Sequence, residues 1–235
     1  MNSYYGQDNN LVHTRESALA ANKIIRQAYA LVGLSLIPTA IGVWVGFMMN
    51  GLLANIAKSS PFIYFIGVMV VFYGLIFMIE KNRRNSMGIA LMFVFTFGMG
   101  LMLQPLLASV GSMSNGINLI STAVFGTAAI FVGLALIGNN TSKDYSFLGR
   151  YIGILFFVLM GTMILNYFFL QMPVMSLVIS FAVIGFSSMA IVFRINMAAR
   201  GGEDSYISLA LDIYISLYNI FSSLLRILGI FGGDD

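Results

Sequence analysis

The chain has 235 residues, of which 59% are hydrophobic and only 9% charged, with a mean hydropathy of +0.89. Globular domains carry about a quarter charged residues, so this composition excludes an ordinary soluble fold and points to an all-α polytopic membrane protein whose surroundings are the lipid bilayer. The net charge of +3 does not mark a nucleic-acid binder, because the basic residues are scattered among the connections, and the absence of cysteine excludes disulfides, thiolate metal sites and thiol catalysis.

In chain order, residues 1–27 read as a polar N-terminal arm that holds the single histidine, His13. No short apolar stretch there ends in a cleavage site, so the first membrane helix is expected to target the chain itself. Residues 1–10 look flexible. Over 14–27 a helical pattern with Leu19, Ile24 and Ile25 either lies on the membrane surface or extends the first span.

Residues 28–235 form the membrane domain. Apolar runs long enough to cross fall at about 28–50, 61–80, 87–108, 116–138, 147–170, 173–194 and 206–230. Backbone polar groups must be satisfied within lipid, so all seven spans are predicted helices. Breakers sit in the connections, among them Asn50-Gly51, Ser60-Pro61, Met172-Pro173 and Gly201-Gly202. Gly42-x-x-x-Gly46 and Gly149-x-x-x-Gly153 have the spacing that lets helix backbones approach, and Pro38, Pro105 and Pro173 kink or begin helices. Trp44, within span one, is expected to pack rather than form a site.

Lysine and arginine alternate across these connections. Arg15, Lys23, Arg26, Lys81, Arg83, Arg84, Lys143, Arg150, Arg194 and Arg200 fall on one side, and only Lys58 and Arg226 on the other. The rich side marks the cytoplasm, which places the N-terminus inside and residues 232–235 outside.

The last span carries a polar stripe. Ser205, Ser208, Asp212, Ser216, Asn219, Ser223 and Arg226 recur every three or four residues and share one helix face over roughly 30 Å. Serines of this kind commonly mark helix seams, but a carboxylate costs about 3 kcal/mol at a bilayer centre. Span six has a sparser row, Ser176, Ser180, Ser187 and Arg194, and the short connection between the spans makes them antiparallel neighbours. Geometry therefore allows Arg194 to reach Asp212. In one reading Arg194 snorkels to the headgroups and Asp212 is capped by serines and water. In the other, the pair is a charged latch in an ion or proton pathway through Ser216 and Asn219, opened when Asp212 is protonated. Arg226, near the far end, anchors to headgroups or closes the pathway.

Catalytic chemistry finds no support. A serine nucleophile lacks a base in the spans, no H-E-x-x-H occurs, and Asp212 has no second intramembrane carboxylate beside it, Glu80 being at the edge of span two. A Schiff-base lysine is missing from span seven, and no glycine-rich phosphate loop is present. Neither a cofactor, a metal set nor an enzyme activity is expected.

The stretch RGGEDSYISLALDIYISLYNIFSSLLRILGIF resembles the Bax inhibitor-1 (transmembrane Bax-inhibitor-motif) family, in particular its bacterial YccA-like branch. DYSFLGRYIGILFF at 144–157, Leu170-Gln171-Met172-Pro173 and FYGLIFMIEKNRRNSMGI at 72–89 carry the same likeness, and Gly201-Gly202-Glu203 with the run from Ser216 to Phe221 is its most specific part. The resemblance implies a seven-helix bundle with a central seventh helix, in a bacterial inner membrane. It also implies one of two roles: modulation of the membrane-anchored AAA protease FtsH, or a pH-sensitive leak of calcium or protons. Many family members place a carboxylate in helix six after an aromatic residue and a second in helix seven. Here Arg194 follows Phe193, the second position aligns with Ser216, and Asp212 lies one turn earlier. An arginine at that point repels a divalent cation that paired carboxylates would attract. The expected function is therefore first a protease modulator acting by interaction, with the cation leak through the helix 6/7 face as the alternative.

Overall fold

The computed structural model describes residues 3–49 and 51–232, without the side chains of 3–18 and 52–54. Its elements are α1 (Ser3–Met48), α2 (Leu52–Ser59), α3 (Pro61–Lys81), α4 (Ser86–Gly111), α5 (Gly116–Gly138), α6 (Leu148–Leu165), a π-turn (Asn166–Leu170), α7 (Pro173–Ala199) and α8 (Tyr206–Gly232). Seven of these helices are long and apolar enough to cross a membrane. The protein is an all-α, multi-pass membrane protein.

Helix α1 runs through the 27–28 boundary without a break, so residues 14–27 extend the first span rather than turning onto the surface. Ala21, Ile25 and Ala28 are buried and tie that extension to the bundle. The flexibility expected for residues 1–10 includes Met1 and Asn2, which lie outside the described residues, while the helix begins at Ser3. Helix α2 falls in a stretch read from sequence as a plain connection. Gly51 at φ 78° supplies the left-handed residue that starts it, and Pro61 starts α3 two residues beyond its end.

Helix α8 lies at the centre, packed by α1, α3, α4, α5 and α7. Ile207, Leu209, Leu211, Ile213, Ile220 and Leu225 are fully enclosed. Phe72, Phe95 and Tyr214 cross edge-to-face at 5.4 and 6.3 Å, joining α3, α4 and α8. Because lipid tails are as apolar as these side chains, this packing stabilises through close contact rather than through escape from water.

The tightest seam joins α1 to α4. A Cβ on Gly42 would run into the carbonyl of Phe97, and one on Gly100 into that of Thr39, so the backbones themselves touch. Gly42-x-x-x-Gly46 thus makes an internal seam. In Gly149-x-x-x-Gly153 only Gly149 meets a neighbour, the Phe193 ring, and Gly153 faces open space. Trp44 departs from expectation: it is 60% exposed and points outward with Phe62, Val70, Phe125 and Phe157, a belt suited to lipid.

Three connections gather at one end of the bundle, here termed the basic end. Arg83 and Arg84 of the α3–α4 connection pair with Asp204 of the α7–α8 connection. Arg200 pairs with Asp144 of the α5–α6 connection at 3.2 Å. Buried Asn196 pins that connection: its Nδ2 donates to the carbonyls of Gly138, Asn140 and Lys143, and its Oδ1 accepts from the Tyr145 amide. At the opposite end Asn166 performs a similar task within the π-turn. Its Oδ1 accepts from the Met172 amide at 3.1 Å and its Nδ2 donates to Ser176 Oγ at 2.8 Å, folding α6 back onto α7.

Candidate functional site

The polar face of α8 begins in the loop before the helix. Glu203 Oε1 accepts from the amides of Asp204 and Ser205, both at 3.0 Å. Ser205 is the N-cap: its Oγ accepts from the Ser208 amide at 3.2 Å and donates to the Arg83 carbonyl at 2.7 Å. Ser208 Oγ in turn donates to Glu80 Oε2 of α3 at 2.9 Å. The first turn of α8 is thereby fastened to the end of α3.

Arg194 of α7 occupies the middle of this arrangement. Its Nη2 reaches Glu203 Oε2 at 3.0 Å and also pairs with Asp212. The meeting of Arg194 and Asp212 that the spacing allowed is thus present, and a second carboxylate joins it. Arg83 approaches Glu203 at 3.7 Å and Asp204 at 3.2 Å, and Arg84 pairs with Asp204. Burial differs sharply within the set. The Glu203 side chain is only 4% exposed, whereas that of Asp212 is 38% exposed, beside Arg194. A carboxylate as enclosed as Glu203 needs its arginine and its two amide donors.

Sequence reasoning singled out Arg194 and Asp212 and left Glu203 and Glu80 outside the site. Charges beside a Gly-Gly turn and at a helix end read as solvated. The available signal was position: Glu203 lies three residues before α8 and Glu80 one residue before the end of α3, each at a helix end where connections fold over the bundle.

Outside the spans, two carboxyls among the described residues sit below their ordinary range. Asp204 is held down first by the hydrogen bond from Arg84 and further by Arg83. Asp144 is held down first by hydrogen bonds from Ser146, with Arg200 adding to them.

The far half of the stripe has different surroundings. Asn219, Ser222, Ser223 and Arg226 line a cavity of about 560 Å³ whose other walls come from α3, α6, α7 and the π-turn. Ser176 and Ser180 of α7 reach it, and Arg226 is exposed. Ser216 is buried and does not line the cavity; Ser187 is also buried, and its Oγ has no hydrogen-bond partner among the described residues. The stripe therefore comprises an ion-paired entrance and a roomy chamber, mostly apolar with a few hydroxyl and amide groups on its walls, with Ser216 between them. A chamber of this size with hydroxyl and amide groups on its walls can hold several waters. Among the described residues no group of three or more acidic or histidine side chains forms a metal set, and Arg194 places a positive charge between two of the nearest carboxylates.

Comparison with known proteins gives this geometry a context. An uncharacterised protein of Neisseria meningitidis serogroup A is 38% identical over 217 residues, 92% of this chain and 95% of the relative. An uncharacterised protein of Pseudomonas aeruginosa is 36% identical, covering 90% of this chain and 91% of its own length. The Escherichia coli K12 protein named modulator of FtsH protease YccA is 36% identical over 94% of this chain and 96% of its own. A family model described as inhibitor of apoptosis-promoting Bax1 matches residues 21–233, which take in α1 from Ala21 onward and every later helix, and the chain belongs to the Bax inhibitor-1 family.

Proposed function

We propose that this protein is an inner-membrane modulator of a membrane-anchored AAA protease of the FtsH type, acting by interaction rather than catalysis. The observation that carries the reading is 36% identity, across nearly the whole of both chains, to the protein named modulator of FtsH protease. A closely packed bundle supports it. The α1–α4 seam and the ion-paired α7–α8 entrance resist extraction, so the protein occupies the protease without being readily consumed. The basic end faces the cytoplasm in this reading, and the N-terminal part of α1 lies on that side, where a cytoplasmic protease domain would meet it.

In cells making the protein in excess, FtsH should copurify with it, and another membrane substrate of the protease should be degraded more slowly. Unchanged substrate turnover when the protein is abundant would sink the reading. The chain has no cysteine, so single substitutions at Ser142→Cys and Ser60→Cys should label from opposite sides of the membrane, Ser142 from the cytoplasm.

The chamber beside α8 favours a second reading, a proton or cation leak along the α7/α8 face. Calcium suits it poorly, because Arg194 stands between Glu203 and Asp212 and repels a divalent ion. In this reading the Arg194–Asp212 pair is the latch that closes the basic end.

A further inference from the structure

Helices α1 and α5 meet at one point and part on either side of it. The Tyr29 ring lies edge-on to Phe131 at 5.4 Å, and its hydroxyl accepts from Asn139 Nδ2 at 3.5 Å. Above this contact, at the basic end, lies a recess of about 450 Å³ with Asn22, Arg26, Asn139 and Thr141 in its walls. Below it, an apolar groove of about 460 Å³ runs between α1 and α5 with α8 as its floor. Tyr29 borders both.

Each half has the character of a different part of one molecule. In the recess, Arg26 is exposed and forms no ion pair with any described carboxylate, so it offers a guanidinium to an outside anion. In the groove, the threonine hydroxyls are satisfied within the bundle. Thr39 and Tyr214 share a hydrogen bond of 2.7 Å, and Thr127 donates to the Ala123 carbonyl at 2.7 Å. What remains toward the opening is aliphatic and aromatic, with Leu36 58% and Val124 49% exposed. The groove extends along α1 from Tyr29 to Thr39, about 15 Å at the helical rise, which matches one leaflet of a hydrocarbon core about 30 Å thick. Gly33 belongs to its wall, and a Cβ there would meet no atom within 4 Å.

We propose that the α1–α5 cleft seats one anionic phospholipid of the leaflet at the basic end, its phosphate on Arg26 in the recess and one acyl chain along the groove past Tyr29. Basic pockets between transmembrane helices at headgroup level are suited to such lipids. The seat is on the flank of α8 away from the charged face, so it stands whether or not the protein engages a protease.

The test uses the full chain, reconstituted with equal amounts of phosphatidylglycerol and phosphatidylcholine, extracted in mild detergent and weighed intact by native mass spectrometry. One phosphatidylglycerol per chain should persist, preferred over phosphatidylcholine about fivefold, as one basic side chain near the headgroups provides. Arg26→Gln should erase the preference while leaving the amount of bound lipid similar. Gly33→Phe, which fills the groove, should release both lipids without altering the thermal melt of the delipidated protein. A preference unchanged in Arg26→Gln overturns the proposal, as does wild-type lipid retention in Gly33→Phe. Displacement of the lipid by inorganic phosphate alone overturns it too, since the recess would then be a site for free anions. Arg26 is exposed, so its variant decides the headgroup half whatever Gly33→Phe does to folding.

Discussion

The two ends of α8 carry the same polar periodicity and meet different neighbours. At the basic end, Ser205, Ser208 and Asp212 are fastened to residues from α3, α7 and the α3–α4 connection. At the far end, Asn219, Ser223 and Arg226 border a cavity of about 560 Å³. Helical spacing decides which residues share a face, but the elements brought opposite decide what that face does. Charged loops close one end. The π-turned junction of α6 and α7 leaves room at the other.

The comparison breaks most directly at the two arginines. Arg194→Ala leaves Glu203 enclosed with only the more distant Arg83 and strips Asp212 of its partner. The expected loss is about 3 kcal/mol, the lower range for breaking a buried pair. Arg226→Ala removes an exposed side chain with no ion pair among the described residues and should cost within about 0.5 kcal/mol. Reversible unfolding in detergent micelles measures both. Equal losses at the two sites would mean the basic end is no more tightly held than the chamber.

A finer cut comes from Asp212→Asn, which keeps the side-chain shape and leaves Arg194 bonded to Glu203. Stability should fall by about 1–2 kcal/mol, less than for Arg194→Ala, because no buried charge is left alone. The same variants separate the two functional readings. If the pair latches a pathway, liposomes with either variant should pass protons or monovalent cations differently from wild type as the pH is lowered from neutral. Background flux in all three leaves the protease reading standing and removes the leak.

Much of this architecture was legible in the residues, and the exceptions share a cause. Long apolar runs bounded by breakers place the seven spans within a few residues, since lipid permits little besides helix. Span one starts earlier, because α1 runs on without a break from Ser3, and span six overruns at its basic end. α7 continues to Ala199 because Asn196, polar in sequence, is buried as the clamp on the α5–α6 connection. The π-turn at Asn166–Leu170 is similarly hidden, since its reason is a side chain bonding six residues ahead. Helix α2 was missed because a segment this short is defined by its flanking Gly51 and Pro61 more than by its own pattern. In the site, spacing along two antiparallel helices allowed the Arg194–Asp212 meeting, and the structure shows the contact. Glu203 and Glu80 did not, because their burial depends on how two connections fold over the α8 entrance. Periodicity carries no information about that.

The smallest effect concerns acidity and again contrasts the ends. Asp204 is outside the spans, and its carboxyl is held below the ordinary range first by the hydrogen bond from Arg84 and then by the Arg83 charge. A carboxyl depressed in the folded state contributes stability above its unfolded value, near 4, and loses it as the pH falls through the lower folded value. Wild type should therefore melt slightly higher than Asp204→Asn at neutral pH, by a margin that stays level down to about pH 4 and closes below it. The margin should be small, because the side chain is 52% exposed and water screens the pair. Asn219→Ala, at the chamber, removes no titrating group, so any offset it causes should not change with acidity. A gap between wild type and Asp204→Asn that persists unchanged into strong acid would mean that the asparagine disturbs the loop by shape alone. The Arg84–Asp204 contact would then hold no charge-dependent part of the α8 entrance.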